Sequence, residues 1–130
     1  MRLLDTDVCV EILRGNARVL KRRAAMADEV ATSCVTAAEL HYGAARSWDP
    51  TANADTVDRF LATLPVFALD PAAARRFGGL KAELQRRNAL LADADLLIAA
   101  MALANDATLV TGNRSHYERI DGLEIEDWIR

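Results

Sequence analysis

Four side chains with oxygen donors, Asp5, Glu39, Asp95 and Asn113, stand where short aliphatic segments give way to helical patterns in a chain of 130 residues. Asp5 closes Leu3-Leu4-Asp5, Glu39 follows the segment Val30–Val35, Asp95 opens the apolar run Leu96–Ala104, and Asn113 follows Thr108-Leu109-Val110-Thr111. Three carboxylates gathered in one place repel each other unless a cation joins them. An all-oxygen set without His or Cys suits Mg²⁺ or Mn²⁺, which take carboxylates and keep several waters. Such a centre lowers the pKa of a bound water and orients it for attack. Each residue also has a local reading. Asp5 or Thr6 caps the next helix, Glu39 pairs with Thr36 in the capping box Thr36-Ala37-Ala38-Glu39, Asp93 or Asp95 caps the apolar helix, and Asn113 beside Gly112 makes a turn. Capping, however, needs one carboxylate per helix and gives the acids no reason to converge.

Whether they converge depends on the elements between them. Strand candidates are Arg2–Asp5, Val30–Val35, Val66–Leu69, Thr108–Thr111 and Leu123–Glu126, and longer helical patterns separate them. That alternation predicts an α/β fold, a three-layer sandwich with a mostly parallel central sheet of about five strands. In such sheets ligands bind outside the carboxyl ends of the strands, which is where all four residues then lie. Asp70-Pro71 predicts a helix start, followed by the stripe Ala73, Phe77, Leu80 and Leu84. A second helix is expected over about Thr51–Thr63. Leu96–Ala104 is apolar on every side and predicts an enclosed central helix.

At this length one domain, 1–130, is the economical reading. The composition is 52% hydrophobic and 27% charged with a net charge of −3, so neither disorder nor a polyanion-binding tail is indicated, and nucleic-acid binding would need a local basic patch. Cys9 and Cys34 have no metal spacing and read as reduced core residues. Without a signal pattern or a membrane-length apolar run, the chain reads as soluble and cytoplasmic.

Four segments in order, Leu3-Leu4-Asp5-Thr6-Asp7, Val35-Thr36-Ala37-Ala38-Glu39-Leu40 with Tyr42-Gly43, Asp95-Leu96-Leu97-Ile98-Ala99-Ala100 and Leu109-Val110-Thr111-Gly112-Asn113, run over nearly the whole chain. Together they resemble the PIN-domain ribonucleases, and specifically the VapC-type toxins of toxin-antitoxin pairs. The resemblance implies a Mg²⁺- or Mn²⁺-dependent endoribonuclease with Asp5, Glu39 and Asp95 at the metal and Asn113 at a fourth position. It implies cleavage to a 5′-phosphate and a 3′-hydroxyl, a structured RNA substrate, a cognate antitoxin laid across the groove near the acids, and toxin dimers. Two positions depart from the commoner pattern. Asp7 stands where such toxins commonly have Asn, and Asn113 is the neutral form of a position that is Asp in many PIN nucleases. Asp93 has no fixed counterpart and reads as a support or a cap.

Thr6 and Thr111 are candidates to donate hydrogen bonds to the carboxylates or to phosphate. For RNA contacts the candidates are Arg14 in the early basic cluster and Arg75, Arg76, Arg86 and Arg87 on the striped helix, although a solvated helix face explains such charges equally. Fourteen of the sixteen basic residues are Arg, so bidentate phosphate contacts are available. Aromatic residues make up only 5%, so base stacking is not evident from the sequence, and His41 and His116 read as surface or packing residues. The aliphatics Val8, Val10, Ile12 and Leu13 suit either an antitoxin or the core.

Two other readings stay open. Leu3-Leu4-Asp5-Thr6-Asp7 also resembles the motif of haloacid-dehalogenase-type phosphatases, with Asp5 as nucleophile and Asp7 as acid and base. Those enzymes need a late lysine, and the only lysines are Lys21 and Lys81. A non-catalytic protein-binding module would use the acids only as helix caps.

Overall fold

The computed structural model describes all residues, Met1–Arg130. Strands β1 (Arg2–Leu4), β2 (Val30–Ser33), β3 (Val66–Phe67), β4 (Thr108–Val110) and β5 (Ile125–Glu126) form one sheet in the order β3-β2-β1-β4-β5. Every neighbouring pair is parallel. Each expected strand is present, shortened at its ends. Seven helices connect them: α1 (Thr6–Leu13), α2 (Ala17–Ala25), α3 (Cys34–Ala45), α4 (Pro50–Leu61), α5 (Pro71–Arg86), α6 (Asp93–Ala104) and the single turn α7 (Arg114–Tyr117).

The side-chain alternation of a strand divides the core into two. Leu3, Ala31 and Leu109 face one layer, packed with α5 and α6 through Ala73, Leu84, Leu96 and Met101. Leu4 and Val110, their neighbours in sequence, face the other, with Val8 and Ile12 of α1, Leu40 of α3 and Phe60 of α4. Helices thus cover both faces, the condition under which an all-parallel sheet is stable. Leu96, Ile98, Ala99, Ala100, Met101 and Ala102 are fully buried, so α6 is enclosed as its composition requires. No helix is long and apolar enough to cross a membrane.

Helix starts follow local chemistry, with two corrections. Asp70 caps α5 by accepting from the Ala73 N–H at 2.8 Å, with Pro71 at the first helical position, as expected. The capping box placed at Thr36 and Glu39 does not form. Ser33 caps α3 instead, its Oγ accepting from the Thr36 N–H at 3.0 Å, so the helix begins at Cys34. Once Ser33 meets the orphan donor, Glu39 has no capping duty and lies beyond the first turn. Nor does Asp93 or Asp95 cap α6, whose N-cap is Ala92 and has no side-chain bond.

Strand order reverses between β1 and β4: successive strands after β1 move to one side, whereas β4 and β5 lie on the other. The connections diverge there and leave a crevice at the carboxyl ends. The backbone joins its two walls, with the Asp5 N–H donating to the Val110 carbonyl at 2.9 Å. Enclosure of α6 yields a test: Ala99→Leu should lower stability by about 1–3 kcal/mol through overpacking, read from denaturant midpoints. An unchanged midpoint would mean that α6 has free space beside it.

Candidate active site

Asp5 leaves β1 and becomes the N-cap of α1, a position that fixes its carboxylate at the crevice. It is 3% exposed. Its Oδ1 accepts from the Thr6 N–H and its Oδ2 from the Thr111 hydroxyl, each at 2.8 Å. Burial, and next the negative charge of Asp7, push its pKa from the ordinary 3.8 up to about 6, and Asp95 adds to the effect. The carboxylate is therefore held by neutral donors among negative neighbours.

Asp95 reaches the same crevice from the first turn of α6, at the positive end of the helix dipole. Its Oδ1 accepts from the Tyr117 hydroxyl at 3.3 Å, and the His116 Nδ1 lies 3.7 Å from its Oδ2. Tyr117 is fully buried. Burial first, then the charges of Asp5 and Asp95, drive its phenol pKa far above the usual range, so it stays protonated and donates. Glu39 approaches from α3 and is exposed, with its Oε1 accepting from the Thr6 hydroxyl at 2.6 Å. Thr6 in turn lies 3.1 Å from the Thr36 hydroxyl. Consecutive residues Asp5 and Thr6 thus link two of the predicted acids. Asn113 is exposed beside them; its N–H donates to Thr111 Oγ at 3.0 Å, and its side chain caps nothing.

Asp7 is occupied with structure. Its Oδ1 accepts from the Val8 N–H and its Oδ2 from the Gly112 N–H, each at 2.8 Å, tying α1 to the turn after β4. Burial raises its pKa more than these bonds lower it. A Cβ at position 112 would come within 2.9 Å of that Asp7 oxygen and 2.8 Å of Ile129 Cδ1, which explains a glycine at this approach. Both Asp7 oxygens being bonded to backbone, Asp7 is poorly placed for the acid-base role of the phosphatase reading, and Lys81 is paired elsewhere. The Lys81 Nζ instead contacts Asp93 at 2.9 Å on the surface. Two residues apart on a helix, Asp93 and Asp95 point to different faces.

The five arginines do not share one surface. Arg14 lines a groove of about 660 Å³ with Thr6 and Glu39. Arg75, Arg76 and Arg87 line another with Arg119 and Leu103, and Arg86 pairs with Glu83 along α5. Of the early aliphatics, Val8 and Ile12 are buried, whereas Val10 and Leu13 line the first groove. His41 contacts Asp58 at the surface as expected, but His116 belongs to the acidic crevice. Tyr117 carries no signal in the sequence. It sits in a one-turn helix with no periodicity, and only the tertiary fold brings it to Asp95. Cys9 is an inert core thiol, with burial pushing its pKa up to about 12.

The donor chemistry fits a hard divalent cation: oxygen ligands, excess negative charge, and a buried carboxylate lacking a basic partner. No three His, Cys, Asp or Glu side chains are close enough to share one ion in this arrangement, in which Glu39 is engaged by Thr6. Asp5 and Asp95, whose negative charges both act on Tyr117, form the inner pair, and the Tyr117 hydroxyl donates to Asp95.

A parallel sheet in this order with acids at its switch point is an architecture that PIN domains share with other doubly wound α/β folds. The PIN-domain family model matches residues 2–123, and the chain belongs to that family. Ribonuclease VapC2 of Haemophilus influenzae is 34% identical over 98% of this chain and 97% of its own. The tRNA(fMet)-specific endonuclease VapC of Shigella flexneri is 34% identical over 97% and 96%. Among solved structures, VapBC2 from Rickettsia felis bound to a promoter DNA fragment superposes with a TM-score of 0.93 at 30% identity, covering 98% of both chains. Within the PIN domains, then, this chain is one of the VapC ribonucleases.

The Asp5 environment predicts a pH signature for metal-free protein. The folded state binds a proton with a pKa of about 6 and the unfolded chain near 3.8. Folding is therefore favoured by this group below pH 4, and the advantage is lost as pH rises through 6. Asp5→Asn, which removes the charge, should be more stable than the parent above pH 7 by up to about 3 kcal/mol, the gap closing below pH 4. Chemical denaturation in chelator checks this, and a pH-independent loss of stability would make Asp5 merely a cap.

Proposed function

We propose that the chain, acting over 1–130 as a single PIN unit, is a divalent-metal-dependent endoribonuclease and the toxin of a toxin-antitoxin pair, cutting structured RNA in the cytoplasm. The observation that carries this reading is the buried Asp5 carboxylate beside Asp95 at the strand switch point, with negative charges as its nearest charged neighbours. Asp5 and Asp95 hold the cation, and Glu39 stands at the solvent side of the site. When bound, Mg²⁺ or Mn²⁺ supplies activation of water and neutralises charge that builds on the phosphodiester.

The surrounding residues set the geometry. Thr111 and the Thr6 N–H fix the Asp5 oxygens, and Tyr117 fixes Asp95. Thr6 orients Glu39, which is exposed enough to take a proton from an incoming water. Asn113, with its amide unspent on capping, holds water or a phosphate oxygen at the fourth position. Asp7 keeps the Gly112 turn in place, and Asp93 serves the surface. The antitoxin covers the groove floored by Val10 and Leu13, next to the acids, and thereby denies RNA access. Support for a partner comes from the Rickettsia felis relative, a VapBC2 structure. Toxin homodimers within toxin-antitoxin assemblies complete the proposal.

RNA cleavage by purified chain in Mn²⁺, with and without EDTA, tests it. Chelation should abolish cleavage. Asp95→Asn should lower the rate by more than the roughly 10- to 100-fold typical of groups behind a metal ligand, with the protein still folded. Asp93→Asn should leave most of the activity. Cleavage that survives chelator, or equal losses at the two positions, would refute the assignment.

A further inference from the structure

The groove that begins at Thr6 and Glu39 has an unusual rim for a chain so poor in aromatic residues. Tyr42 lies three positions after Glu39, about 4.5 Å further along α3, and lines the same groove. The residue is 68% exposed. The guanidinium carbon of Arg46 stands 5.4 Å from its ring centroid. Across the groove Arg14 is largely exposed, with only a 3.5 Å contact to Glu11. Glu39, at the end next to Asp5, is the only acid among the lining residues, which include Arg14 and Arg46.

From these positions we propose that Tyr42, backed by Arg46, stacks on an unpaired base next to the phosphate being cut, while Arg14 holds a neighbouring phosphate. The proposal rests on the ribonuclease reading above and names the feature of RNA selected: a nucleotide free of the helix stack. An aromatic ring joined to a guanidinium offers what single-stranded nucleic acid uses, a π-face for the base and a cation for the backbone. A base inside a duplex already stacks on its neighbours and cannot give its face to Tyr42 without unpairing. A protein segment would use the Val10 and Leu13 floor but has no need of a solvent-facing Tyr–Arg pair. Composition alone gives no sign of stacking. Few aromatics are needed when one is placed in solvent beside the acids.

Binding is measured in the full-length Asp5→Asn protein with Mg²⁺, so that RNA is held but not cut. The probes are a fluorescein-labelled synthetic RNA hairpin with an unpaired loop and a blunt RNA duplex of equal length, read by anisotropy. Adding Tyr42→Ala should weaken hairpin binding by roughly 5- to 100-fold and change duplex binding little. Tyr42→Phe, which keeps the ring, should bind the hairpin like the parent. Trp48→Ala is the internal control: Trp48 is 95% exposed but does not line the groove, so its loss should have no effect. If Tyr42→Ala binds the hairpin as the parent does, or if Trp48→Ala weakens it equally, the platform is wrong and the groove serves only a protein partner. If the unsubstituted chain in Mn²⁺ cuts neither RNA, the ribonuclease reading itself fails.

Discussion

The unneutralised charge of Asp5 is the constraint to which the rest of the crevice answers. A carboxylate at the end of the central strand, removed from water and facing Asp7 and Asp95, raises the energy of its charged form. Two hydrogen bonds from Thr6 and Thr111 offset part of that cost and leave its other lone pairs available. A helix-capping residue on the surface incurs no such penalty. The arrangement makes sense if the missing positive charge arrives from outside as a hard cation.

Holding two like charges together needs a stiff frame, and the fold supplies one on each side. Asp5 is fixed between β1 and α1, with its own N–H bonded to β4. Asp95 stands in the first turn of a helix whose next turns are buried on nearly every side, so the helix cannot rotate to move the acids apart. Tyr117 ties the second acid to the segment after β4, and Asp7 ties α1 to the Gly112 turn. Near the C-terminus, Glu126 accepts from Trp128 and Arg2 and meets Arg22. Desolvation would raise its pKa, but these partners outweigh it and lower the value, so the carboxylate stays charged and pins β5 beside β4. One basic environment at the sheet's edge thus contrasts with the uncompensated one at its centre.

Much of the architecture was legible from residue order. The aliphatic runs marked all five strands because a parallel sheet buried on both faces leaves no other place for them. Asp70-Pro71 marked α5 through cap chemistry. Ser33 is masked in the sequence because Thr36 and Glu39 match the capping pattern at a position three residues later, where no orphan donor remains. Asp93 and Asp95 separated by resemblance, and helix geometry gives the physical reason, since residues two apart face differently. What stayed hidden were contacts with no sequence period: Tyr117 and His116 at Asp95, the Asp7 bond to Gly112, and the exposed Tyr42–Arg46 pair. Each joins segments or sets an exposure that only the assembled fold decides. The arginines on α5 show the converse, since a basic stripe adjacent in sequence need not face the acids.

Calorimetric titration of Mn²⁺ into the purified chain at pH 8 and at pH 5 measures the missing charge directly. With an Asp5 pKa of about 6, the proton competes with the ion, so affinity should fall by about tenfold at pH 5 and binding should be lost in Asp5→Asn at either pH. No binding at pH 8, or binding that persists unchanged in Asp5→Asn, would contradict the view that this buried acid exists to hold a cation.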